Sequence, residues 1–108
     1  MKTTYRLPAA LRVEMLAVVK EKYNVKSKSR WIREAINMLL DEDAALKDVG
    51  AGEELEKNDL LDTVDLGQEL PGRIDIAIAT LRRQDPLMEG VMASIIRASI
   101  RRRLLNWK

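Results

Sequence analysis

The feature that most restricts this chain is a pattern that occurs twice: an alternating stretch, a proline, a helical stretch, a turn and a second helical stretch. In the first copy Thr3, Tyr5 and Leu7 alternate with Lys2, Thr4 and Arg6 before Pro8. β-Branched and aromatic residues at period two favour a strand, and a proline ends one. In the second copy Val64, Leu66, Gln68 and Leu70 alternate with Asp65, Gly67 and Glu69 before Pro71. Beyond Pro8 the period lengthens. Leu11, Met15, Val18, Val19 and Lys22 fall at helical spacing, which predicts an amphipathic helix over 9–23 with Asn24 as its stop. Ile32, Ala35, Ile36 and Leu39 predict a second helix, capped by Ser27 or Ser29. In the second copy Ile74, Ile78 and Leu81 mark a helix, Asp85-Pro86 breaks it, and Gly90 lies in the turn. Ile95, Ile96, Ile100 and Leu104 then predict a last helix over 91–106.

Pro8 and Pro71 stand 63 residues apart, and Ile32-Arg33-Glu34-Ala35-Ile36 stands 64 before Ile96-Arg97-Ala98-Ser99-Ile100. The spacing reads as an internal duplication. A unit of about 40 residues cannot bury enough apolar surface alone, and a lone strand leaves its backbone edge unpaired. Pairing two units answers both needs. The expected architecture is mainly α with short β-ribbons: one β-α-α unit over 1–40, an acidic linker over 41–63 and a divergent β-α-α unit over 64–108. Within the linker, Gly50-Ala51-Gly52 is a flexible break and Glu53 to Leu61 is read as a short helix. The acidic run Asp41 to Asp43 opposes the dipole of the helix it follows, which predicts fraying or bending there.

Composition narrows the chemistry. Hydrophobic residues make up 46% of the chain, enough for a packed core. The 108 residues include no cysteine and no histidine. That removes disulfides, thiolate metal sites, imidazole ligands and the usual general base. No carboxylate or lysine constellation replaces them, so we expect no enzyme activity, no cofactor and no metal. The longest apolar run, Met15 to Val19, is far shorter than a membrane span, and Met1 to Arg6 lacks the apolar core of a signal peptide. A cytoplasmic protein that does not enter membranes is the expectation.

The net charge of +2 is unevenly distributed. Residues 1–40 carry nine Lys/Arg against three Asp/Glu, residues 41–63 two against nine, and residues 64–108 eight against five. Basic blocks suit polyanionic partners, and the acidic block between them reads as a solvated connector or an interaction segment.

Tyr5-Arg6-Leu7-Pro8, then Leu11, then Lys26-Ser27-Lys28-Ser29-Arg30-Trp31-Ile32-Arg33-Glu34-Ala35-Ile36 resemble the ribbon-helix-helix (MetJ/Arc/CopG) superfamily. The resemblance covers residues 2–40 well and residues 64–105 in outline, so the chain looks like a tandem ribbon-helix-helix. It implies that two units join their strands into an antiparallel ribbon that enters the major groove of double-stranded DNA. Lys2, Thr4 and Arg6 would then face the bases. Lys and Arg donate to guanine O6 and N7, and Thr hydrogen-bonds or touches a thymine methyl. Ser27, Lys28 and Ser29, at the start of the second helix, would hold phosphate. The implied function is sequence-specific DNA binding, as a transcriptional repressor.

The second copy departs from the family pattern. Its outward residues would be Asp65, Gly67 and Glu69, and its turn, Asp85 to Gly90, lacks the Ser-basic-Ser sequence. Carboxylates are repelled by phosphates, which favours an assembly role for this copy and a homodimer whose ribbon joins two N-terminal strands. Arg101-Arg102-Arg103 reads either as a solvated helix end or as a further phosphate patch. Trp31 reads as a packing residue, and Arg33 as a structural one bonded to a carbonyl or a carboxylate. The competing function class is a protein-interaction or assembly module, such as an antitoxin or a plasmid partition or relaxation accessory protein. The acidic block and the acidic second strand support it.

Overall fold

The computed structural model describes residues 1–24 and 27–106; Lys26 of the turn motif lies outside them. The described residues form β1 (Lys2–Leu7), α1 (Ala9–Lys22), α2 (Lys28–Glu42), a 3-10 turn (Glu53–Leu55), β2 (Leu60–Asp65), α3 (Leu70–Gln84) and α4 (Val91–Asn106). The chain is mainly helical, with one small two-stranded antiparallel sheet.

That sheet closes within the chain. β1 runs antiparallel to β2, with Lys2 opposite Asp65, Thr4 opposite Thr63, Arg6 opposite Leu61 and Leu7 opposite Leu60. The Leu66 N–H donates to the Met1 carbonyl at 2.8 Å and extends the ladder by one step. Tyr5, Leu7, Val64 and Leu66 point into the core, while Lys2, Thr4, Arg6, Leu61 and Thr63 face solvent. The ribbon expected between two N-terminal strands of separate chains is thus a β1–β2 ribbon of one chain. The edge of β1 that called for a partner has one.

The second strand also differs from its expected position: it ends at Asp65 rather than Leu70. Gly67 adopts φ 72°, and its N–H donates to Asp65 Oδ1 at 2.9 Å. This turn takes the chain out of the extended conformation. Leu70, read as a strand residue, opens α3. The outward residues of the second strand are therefore Leu61, Thr63 and Asp65, not Asp65, Gly67 and Glu69. Residues 60–63, expected in the linker, belong to the ribbon, and the helix expected over Glu53 to Leu61 is reduced to the 3-10 turn.

The helices follow their apolar periods. Leu11, Met15 and Val19 of α1 are buried, as are Ile74, Ala77 and Leu81 of α3. Trp31, Ile32, Ala35, Ile36 and Leu39 of α2 meet Ile95, Ile96 and Ile100 of α4 in the central helix pair, and both sets are fully buried. α2 does not fray at Asp41. It continues to Glu42, and the Asp43 carboxylate accepts the N–H groups of Lys47 at 3.0 Å and Asp48 at 2.9 Å. Arg73 of α3 pairs with Asp41 at 2.8 Å. Among the described residues, no helix is long and apolar enough to cross a membrane.

An antiparallel ribbon has a local two-fold, and about the Thr4–Thr63 pair it exchanges Lys2 with Leu61 and Arg6 with Asp65. Arg33 of α2 donates through Nη1 to the Asp65 carbonyl at 2.7 Å, and Arg97 of α4 donates through Nη1 to the Arg6 carbonyl at 2.6 Å. Arg33 and Arg97 stand at corresponding places of the expected repeat, and Arg6 and Asp65 exchange places about the local two-fold. α2 thus reaches across to β2, and α4 to β1.

Candidate nucleic-acid interface

The solvent face of the ribbon carries Lys2, Thr4 and Arg6 on β1, directly opposite Asp65, Thr63 and Leu61 on β2. The structure places all three expected base-contacting residues together, in line and exposed. Among the described residues no ion pair engages the Lys2 or Arg6 side chain. Asp65 is different. Its Oδ1 accepts the Gly67 N–H and lies 3.3 Å from the Met1 ammonium, and these two hold its carboxyl below the usual range.

Behind this face is a polar cluster that sequence reasoning missed. Asp62, 7% exposed, accepts from the Tyr5 hydroxyl at 2.9 Å and from Lys28 Nζ at 2.6 Å, with Arg12 Nε at 3.8 Å. Burial opposes ionisation of Asp62. The hydrogen bonds from Lys28 and Tyr5, with the Lys28 charge, outweigh it and keep the carboxyl below its usual value. Burial, reinforced by the Asp62 carboxylate, pushes the Tyr5 phenol far above its ordinary value, so it remains a donor. The available signal was the inward phase of Asp62, in step with Val64.

The expected phosphate-contacting residues do sit at the start of α2, but their side chains are committed elsewhere. Lys28 holds Asp62. Ser29 Oγ accepts the Asp65 N–H at 3.0 Å. Ser27 Oγ donates to Asn24 Oδ1 at 3.1 Å. What the α2 N-terminus leaves for an anion is its backbone: among the described residues no side chain caps it, and its first turn has no acidic residue.

Arg101, Arg102 and Arg103 are neither a solvated helix end nor an open cationic patch. Arg101 pairs with Glu53 at 2.9 Å, and Arg102 with Asp48 and, at 3.6 Å, with Glu42. Arg103 is buried. It donates to the Trp31 carbonyl at 2.8 Å, meets Glu34 at 3.2 Å and lies over the Trp31 ring with 4.7 Å to the centroid. Arg97 binds both oxygens of Glu53 at 2.9 and 3.0 Å. Acidic residues between α2 and β2, with Glu42 at the end of α2, therefore neutralise Arg97, Arg101 and Arg102 of α4.

Among the described residues no group of three or more acidic side chains could hold a metal ion. Comparison with protein-family models, curated proteins and solved structures returns no match to this chain.

Proposed function

We propose that this chain binds double-stranded DNA as a single-chain, tandem ribbon-helix-helix protein, laying its β1–β2 ribbon in the major groove and acting as a transcriptional repressor. The observation that carries this reading is the row Lys2, Thr4, Arg6: two cations with no ion pair among the described residues and a hydroxyl, on the solvent face of an antiparallel ribbon backed by a helical core. A two-stranded ribbon fits the major groove, and these side chains match the acceptors and methyl groups displayed there. The uncapped start of α2, beside the ribbon through the Ser29–Asp65 bond, suits a flanking phosphate. One chain supplies both strands, so a homodimer is not required to form the ribbon. The protein-interaction reading drew on the acidic block. Asp41, Glu42, Asp48 and Glu53 of that block are taken up by Arg73, Arg97, Arg101 and Arg102, which weakens it.

The test is binding to labelled duplex DNA at two salt concentrations. Affinity is expected to fall steeply with salt, with a logarithmic slope of about −0.9 for each phosphate neutralised. A chain that retains no duplex at low salt ends the proposal. On a selected site Arg6→Ala is expected to lose about 1–3 kcal/mol of affinity, and on random duplex far less. Equal losses on both would reject base readout by Arg6.

A further inference from the structure

We infer that the duplex site read by this ribbon lacks two-fold symmetry within the footprint of one chain, with Leu61 and Asp65 setting the specificity of the half that β1 does not read. The inference rests on the DNA-binding reading above and goes on to define the class of site. The axis through the Thr4–Thr63 pair exchanges Lys2 with Leu61 and Arg6 with Asp65. At the centre the ribbon presents the same residue twice. On either side it presents unlike chemistry: an ammonium against an isobutyl group, and a guanidinium against a carboxylate.

A palindromic duplex offers equivalent base edges to the two members of each exchanged pair. A guanine placed for Arg6 shows O6 and N7, both acceptors, and its symmetry mate shows the same acceptors to the Asp65 carboxylate, which has no proton to donate. A cytosine amino group suits Asp65 but turns a donor toward Arg6. Leu61 is 59% exposed, an apolar side chain in an otherwise polar row. It suits a thymine methyl and offers nothing to the acceptors that Lys2 would seek. Guanine, the base that Arg6 and Lys2 bind best, serves neither Asp65 nor Leu61 at its symmetry mate.

The layer beneath the ribbon makes the two strands non-interchangeable. Tyr5, Asp62 and Lys28 form the cluster under one half. Under the other half Val64, Thr3 and Met92 stand in their places, and the Thr3 hydroxyl donates to Met92 Sδ at 3.8 Å. A ribbon of two β2 strands from separate chains would bury two Asp62 carboxylates, each with Met92 where Lys28 now stands. The chain is thus built to present one strand of each kind, and an asymmetric ribbon is what the groove meets.

The experiment is selection from a random duplex pool by the full chain, followed by footprinting on the enriched sequence and the mass of the complex. The expected motif has no two-fold axis inside the footprint of a single chain. Palindromes made by duplicating either half are expected to bind about tenfold more weakly or worse. Two inverted copies of an asymmetric motif, each holding one chain, would support the inference equally. A two-fold axis inside one chain's footprint overturns it while leaving the DNA-binding reading in place. Failure to enrich any duplex at low salt overturns both. The double substitution Leu61→Lys and Asp65→Arg, checked for folding by circular dichroism, is expected to shift preference toward the palindrome built from the β1 half. An unchanged preference in the folded variant would remove Leu61 and Asp65 as specificity determinants.

Discussion

Arg97→Ala is expected to lower the unfolding free energy by about 3 kcal/mol, as measured by chemical denaturation. Arg97 is 7% exposed and joins three segments. From α4 it binds the Glu53 carboxylate in the linker, the Arg6 carbonyl on β1 and Ser94 Oγ on its own helix. Charge-assisted bonds of this kind are the strong ones, and removing one partner leaves the others buried and unmatched. Breaking a buried pair from one side costs about 3–5 kcal/mol. The lower end applies because Glu53 keeps Arg101 at 2.9 Å. Arg97→Lys should restore little, since one ammonium cannot engage the carboxylate and the carbonyl in the same fork geometry. The loss also reaches the solvent face of the ribbon, because the Arg6 carbonyl is held by Arg97. A loss under about 1 kcal/mol would mean that water replaces these bonds without penalty.

The same residue marks where sequence reasoning stopped. The four helices were legible because burial on one side of a helix imposes a period close to 3.6. Every residue of the set Ile32, Ala35, Ile36 and Leu39 is fully buried, as are Ile95, Ile96 and Ile100. β1 was legible for the matching reason at period two. The bounds of β2 differ because Val64, Leu66 and Leu70 do share the core, but Val64 lies on β2, Leu66 just beyond it and Leu70 on α3. A bond between Asp65 and Gly67 ends the strand, and residue periodicity carries no sign of it. Lys2, Thr4 and Arg6 were correctly placed as outward residues, since their phase follows from Tyr5 and Leu7 alone. The fates of Lys28, Ser29 and Arg101 to Arg103 were not legible, because each depends on a partner more than 30 positions away in the chain. For Arg97 the clue was present: the repeat aligned it with Arg33, and the two make equivalent bonds across the ribbon.

Lys28→Ala is expected to cost about 2–3 kcal/mol at neutral pH, and the deficit should shrink as pH falls. The magnitude lies below that of a fully buried pair because Lys28 remains 20% exposed and Tyr5 and Arg12 still face Asp62. In the native protein the Asp62 carboxyl sits below its ordinary value of about 4. A carboxylate depressed in the folded state adds stability that is present above the unfolded value and lost as pH falls through the folded one. Burial is already the largest single influence on Asp62 and favours the neutral acid; without Lys28 its strongest counterweight is gone. Protonation then relieves the variant while it weakens the native protein, so their stabilities converge on acidification below about pH 5. Glu34 is also held low. Burial works against its ionisation, but the Tyr23 hydroxyl at 2.7 Å and Arg103 outweigh it. It titrates alike in both proteins and cancels in the difference. Denaturation midpoints measured from pH 7 to pH 3.5 decide the matter. A constant gap would show that Asp62 does not depend on Lys28 for its charge. If Lys28 served instead as a free phosphate contact, its loss would leave stability untouched and flatten the salt dependence of DNA binding.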